Sequence, residues 1–166
     1  MKLYNRTDCP DDVLAPMLKR AARAIGARHG KVVVIVTQNR SKRITGECLA
    51  CAWVRASRPG WRGPKIATDG GYMHLRLPEA GPDDPVRTAE RLWEVMLHEW
   101  GHIRDFQHGG SWSMAWSRKG SSGRRPRWAD RPEEIRANAM CHDALREDDG
   151  GDDMLAYALW YEEPSQ

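Results

Sequence analysis

Five consecutive residues, His98-Glu99-Trp100-Gly101-His102, restrict this chain more than anything else in it. Side chains four positions apart stand roughly 5–6 Å from one another on an α-helix, whereas a strand separates them by about 13 Å. Two imidazoles at this spacing therefore reach one metal ion only from a helix. The flanking residues agree: Leu92, Val95, Met96, Ile103 and Phe106 supply an apolar face. Asp84-Pro85 reads as an N-cap followed by proline at the first helical position, and Gly109-Gly110 as a stop, so the spacing predicts a helix reaching about Gln107. Glu99 lies at the edge of the histidine face, where it can hydrogen-bond a water beside the metal without ligating it. At this chain's own His and Glu frequencies the pattern arises by chance with a probability of roughly 1%. The competing explanation is a surface helix with two solvated histidines. Gly101 counts against it, because an interior helical glycine costs about 1 kcal/mol relative to alanine and is best tolerated where something approaches the backbone closely.

A metal centre open to solvent needs a third protein ligand, and imidazole plus carboxylate with one free corner suits zinc. The metzincin extension is incomplete: His108 stands at the spacing of its third histidine, six residues after His102, but Asp105 occupies the place of the glycine that must precede it. The segment Arg131-Pro-Glu-Glu-Ile-Arg-Ala-Asn138 offers a carboxylate instead. Asp130 and Glu133 fit a capping box, which occupies Glu133 and leaves Glu134 as the ligand. Asn138, one turn on, shares the face of Glu134 and can orient a ligand histidine through its second ring nitrogen. The alternative for Glu134 is a solvated first-turn carboxylate favoured by the helix dipole.

H-E-x-G-H followed by E-x-x-A-N (Glu134-Ile-Arg-Ala137-Asn138) resembles the gluzincin pattern, and is similar to ImmA/IrrE-like metallopeptidases and to the short phage- and prokaryote-borne SprT-like or minigluzincin proteins. The resemblance covers about residues 72–145, a strand and two helices. It implies a zincin-like core in which His98, His102 and Glu134 bind zinc and Glu99 is the general base of peptide hydrolysis. Asn138 stands where many gluzincins carry aspartate, which keeps a hydrogen bond to histidine and removes a charge. The first half of the chain and the Trp-rich loop match nothing in the family, so substrate and partners do not carry over.

The rest of the chain reads as one α+β domain spanning 1–166. An apolar stripe at Val13, Leu14, Met17, Leu18, Ala21, Ala22 and Ile25 predicts a helix over 12–28, capped by Asp11 or Asp12, with Pro16 in or near its first turn and Gly26 to Gly30 ending it. Val32-Val-Val-Ile-Val36 is β-branched throughout and predicts a strand covered on both faces. A second strand is expected over 47–55, a Gly/Pro-rich loop over 57–71 with a short strand at 65–68, and an alternating strand over 72–77. That last strand is expected at the edge of a small mixed sheet beside the H-E-x-x-H helix, where Tyr72, His74 and Arg76 would line a substrate added as a further strand. Residues 108–129 are expected to form a long loop, followed by a helix to about Arg146, an acidic turn over 147–153 and a final helix over 154–161. His108, His142, Tyr157 and several arginines are candidates for stabilising an oxyanion.

Forty per cent apolar and thirty per cent charged residues in a chain of 166 are enough for a packed core, so wholesale disorder is excluded. No stretch nears the roughly 20 apolar residues of a membrane span, and the N-terminus lacks an apolar signal core, so a cytoplasmic location with no membrane partner is expected. Cys9, Cys48, Cys51 and Cys141 then read as reduced thiols, with Cys48 and Cys51 as small buried side chains rather than a metal or redox pair. Arg118, Lys119, Arg124, Arg125, Arg127 and Arg131 interleave with Trp112, Trp116 and Trp128 in and beside the long loop, which suits a lid, a protein partner or a nucleic acid. Asp148-Asp-Gly-Gly-Asp-Asp153 lacks the twelve-residue spacing of a calcium loop and reads as a solvated turn. Two functions follow: a zinc peptidase acting on an intracellular protein or peptide, or a zincin-fold binding or sensing module, nucleic-acid-associated in one variant, that turns nothing over.

Overall fold

The β-branched run after Lys31 becomes the inner strand of a parallel pair-of-pairs in the computed structural model, which describes residues 1–39, 44–50, 70–78, 84–108 and 131–162. Strands β1 (Lys2–Arg6), β2 (Val33–Asn39), β3 (Thr45–Ala50) and β4 (Gly71–Pro78) form a sheet in the order β1-β2-β4-β3. β1, β2 and β4 run parallel, and β3 pairs antiparallel with β4. Four helices, α1 (Asp11–Ile25), α2 (Pro85–Gln107), α3 (Pro132–Glu147) and α4 (Gly151–Glu162), complete the described residues, so the class is α+β with a small mixed sheet.

Strand alternation sends Val34, Val36, Met73, Leu75 and Leu77 into one core with Leu14, Met17 and Leu18 of α1, Trp93, Met96 and Trp100 of α2, and Tyr157 and Tyr161 of α4. The helix α2 touches α1, α3, α4 and β3, and so runs through the middle of the helical layer. Its start follows from the sequence: the Asp84 side chain accepts a hydrogen bond from the Arg87 amide at 3.1 Å, with Pro85 following at the first helical position.

Two expectations are corrected here and one strand is added. The 72–77 strand is not at the edge, because β4 is hydrogen-bonded to β2 on one side and β3 on the other. Alternation reports which residues of a strand share a face, and a central strand with one more polar face has that pattern too. Among the described residues, the edge beside α2 is β3. Second, Lys2–Arg6 forms β1, which the sequence does not announce: Leu3 and Tyr4 are too short a signal, and pairing with β2 decides the conformation. Third, Pro10 rather than Asp11 or Asp12 stands at the N-cap of α1 and makes no side-chain cap, while Pro16 lies inside the helix just past its first turn. Gly26 ends α1 as expected, with a φ of 75° that favours glycine.

The acidic turn between α3 and α4 is a junction of helices rather than a solvated loop. Arg20 of α1 donates to both Asp148 carboxylate oxygens at 3.0 Å, and Trp93 of α2 donates its indole N–H to the Asp148 carbonyl at 3.2 Å. Burial acts to raise the Asp148 carboxyl, but the Arg20 guanidinium and the Gly150 amide hold it below its usual range. Gly150 and Gly151 take φ values of 86° and 44° there, which lets α4 fold back against α2. The expected final helix starts earlier than read, at Gly151. The expected strand at 65–68, the end of the 47–55 strand, the side chains of Cys48 and Cys51, and the basic, Trp-rich 109–130 segment lie outside the described residues.

Candidate metal centre

The site begins with a close helix crossing. A Cβ added to Gly101 of α2 would stand 3.2 Å from both the Cα and the carbonyl oxygen of Ala137 in α3, and 3.4 Å from its Cβ. The interior glycine is thus explained by the approach of a second backbone, and that approach brings Glu134 of α3 to the histidines of α2. The Nε2 atoms of His98 and His102 lie 3.1 Å apart, with the rings edge to face at 89°. The Oε2 atom of Glu134 lies 3.2 Å from the first Nε2 and 3.4 Å from the second. Side-chain exposure is 4% for His102 and 3% for Glu134 but 21% for His98, so the cluster is closed on the Glu134 side and reaches solvent past His98.

The second nitrogen of His98 decides its tautomer. Nδ1 lies 2.9 Å from Oδ1 of Asn138. An amide oxygen only accepts, so Nδ1 carries a hydrogen, and in the neutral ring it is the Nε2 lone pair that turns inward. Two ring nitrogens and a carboxylate oxygen within 3.4 Å need a positive charge among them, whether protons or a cation. His98, His102 and Glu134 form a group that could hold a metal ion.

No family model, no curated protein and no solved structure matches this chain. The chemistry of the site rests on its own side chains.

In the metal-free cluster, burial acts to raise the Glu134 carboxyl, yet hydrogen bonds from His102 and His98 hold it down at about 2. Burial likewise acts to lower His98, and the hydrogen bond to Glu134, the charges of Glu99 and Glu134 and the bond to Asn138 carry it above its ordinary 6.5. Glu99, the residue after His98, is 5% exposed and packs against β3.

Other expected site residues lie elsewhere. Met73 and Leu75 face the helices, so Tyr72, His74 and Arg76 belong to the opposite face of β4, where His74 Nε2 meets Thr37 Oγ1 at 2.9 Å. These three are not grouped with the candidate ligands His98, His102 and Glu134, and the edge position on which their pairing with a substrate strand depends is not theirs. Tyr157 is fully buried beside Tyr161, so it is a core residue and no oxyanion donor. His108 caps the C-terminus of α2, in a shallow cleft with Arg136, whose guanidinium is engaged by Asp105 at 2.8 Å, and His142 is exposed on α3. The capping box is corrected too: the N-cap of α3 is Arg131 without a side-chain bond, and Glu133 is buried rather than folded back to a cap. Glu134 joins the cluster because of the Gly101–Ala137 crossing, not because Glu133 is engaged. Gly46 of β3, which touches the Glu99 side chain, went unread because the strand was expected to begin one residue later.

The bond between Asn138 and His98 has a measurable consequence. Asn138→Ala frees the His98 ring to turn and removes the acceptor that selects its tautomer, so divalent-metal affinity should fall by about 10–100-fold with the fold intact. Competition against a chromophoric chelator measures this, and circular dichroism checks the fold.

Proposed function

We propose that this chain is a zinc-dependent peptidase of the gluzincin type. The observation that carries the reading is the triangle of His98 Nε2, His102 Nε2 and Glu134 Oε2, with edges of 3.1, 3.2 and 3.4 Å, beside a buried Glu99. A tetrahedral zinc ion bound at about 2.0–2.1 Å sets its ligands roughly 3.3–3.4 Å apart, so the donor set and its spacing both suit zinc. Bound there, zinc supplies a Lewis acid that polarises a peptide carbonyl and acidifies water.

Glu99 takes the proton of the attacking water and returns it to the leaving amine. Asn138 keeps the His98 tautomer correct, and the Gly101–Ala137 crossing keeps Glu134 in reach of both imidazoles. Strand addition of an extended peptide belongs on β3, the described edge beside α2, rather than on β4. The substrate is a protein or peptide of the cytoplasm. Among the described residues no helix is long and apolar enough to cross a membrane. A binding or sensing module without turnover needs the three ligands but has no use for a buried carboxylate next to them, so Glu99 favours the peptidase.

The test is hydrolysis of short peptides and an unfolded protein by the purified chain with one equivalent of zinc. Cleavage should appear with zinc, vanish with a chelator and return when zinc is restored. A chain that binds zinc at these three residues and cleaves nothing across a broad peptide library is the sensing module instead.

A further inference from the structure

Gly46 is a glycine inside a strand, a position where the missing side chain weakens the strand unless something needs the space. Its backbone does not demand glycine: the positive-φ glycines among the described residues are Gly26, Gly150 and Gly151. Its surroundings do. Gly46 is paired with Leu75, which is paired with Val36, and both of those are fully buried in the core against the helices. Gly46 thus stands in the helix-facing row of the sheet. A Cβ built there would fall 2.5 Å from Oε1 and 2.6 Å from Cδ of Glu99, and closer still to its Cγ. Three successive atoms of the same side chain are in conflict, so a turn of the carboxylate alone gives no relief. The whole Glu99 side chain must leave its place.

We propose that Gly46 is the positioning residue for Glu99: the bare backbone of β3 is the wall against which the carboxylate is set beside the ligand histidines. The inference rests on the peptidase reading and adds to it a second element, the edge strand, that determines where the proton acceptor stands. The three atoms nearest to a Cβ built on Gly46 all belong to Glu99, ahead of any atom of His98, His102 or Glu134. Metal binding and base placement are therefore separable. Any side chain at position 46 leaves a chain that holds the metal and has lost its base, and displacement of a reacting group by about 1 Å costs about 100-fold in rate.

The experiment is a double-mutant cycle of Gly46→Ala and Glu99→Ala, read by thermal unfolding, zinc affinity and peptide hydrolysis. With Glu99 present, Gly46→Ala should lower the Tm. In the Glu99→Ala background the obstacle is gone, and the same substitution should leave the Tm unchanged or raise it, since alanine restricts an extended chain more favourably than glycine. Zinc affinity should stay within about threefold of the parent throughout, while kcat of Gly46→Ala falls about 100-fold with KM little changed. If Gly46→Ala fails to fold alone yet folds together with Glu99→Ala, that rescue supports the proposal as well. Equal Tm changes in both backgrounds, or a Gly46→Ala protein that retains parental turnover, overturn it. If the parent hydrolyses no peptide, the peptidase reading fails, and the reversal of the Tm change still decides whether Gly46 sets the position of Glu99.

Discussion

Glu99→Gln should leave zinc bound and lower peptide hydrolysis by at least about 100-fold, the usual contribution of a positioned general base. The substitution is chosen for its shape. Glu99 is 5% exposed and lies against Gly46, so an isosteric amide occupies the same volume without forcing β3 and α2 apart. What changes is the proton chemistry: an amide accepts a hydrogen bond through its oxygen but does not take up a proton near neutral pH. His98, His102 and Glu134 are untouched, so metal content by emission spectroscopy should match the parent. Glu99→Ala is a poorer test, since it opens a cavity and mixes a packing loss with the chemical one. A Glu99→Gln protein that cleaves at the parental rate removes the mechanism, whatever metal it holds.

The contrast between what was legible in the sequence and what was not follows the range of the interactions. The helix α2 was readable because its signals are local: Asp84 caps, Pro85 opens, and His98 and His102 share a face by virtue of the helical repeat. The sequence points to Glu134 as a member of the cluster, but for an incomplete reason. Its selection leaned on a capping box that does not form, whereas the contact that brings it to the histidines is Gly101 against Ala137, two residues remote in sequence. Strand order was the least accessible, because a period of two says which residues share a face and nothing about which strand lies alongside. The sequence therefore presents β4 as an edge that a substrate strand could join through Tyr72, His74 and Arg76, although the strand lies between β2 and β3. The N-terminal strand and Gly46 share one cause: each is specified by a partner far along the chain, β2 for the one and Glu99 for the other.

Zinc should stabilise the fold by an amount that grows with pH, and the sign follows from the two perturbed groups. In the metal-free cluster Glu134 is depressed from 4.5 to about 2, so its contribution is present above 4.5 and is lost as the pH falls towards 2. His98 is raised above 6.5, so its contribution is complete below 6.5 and is lost as the pH rises through its folded value. Protons thus support the cluster between those limits, and above them it holds a carboxylate beside neutral rings with nothing positive among them. Zinc takes the place of the proton. Binding must expel the proton from His98, so each pH unit below the His98 value weakens zinc by about tenfold, or about 1.4 kcal/mol. At pH 8 and about a hundredfold excess over Kd, zinc should add about 2.7 kcal/mol, which for a domain of this size raises the Tm by about 5–10 °C. The increment should fade between pH 8 and pH 5 as the proton regains its place. Glu134→Gln keeps the shape and removes the charge that holds both His98 and the metal, so its zinc increment should be small at every pH. A parental increment independent of pH, or one that Glu134→Gln preserves, would mean that zinc stabilises this protein somewhere other than at His98, His102 and Glu134.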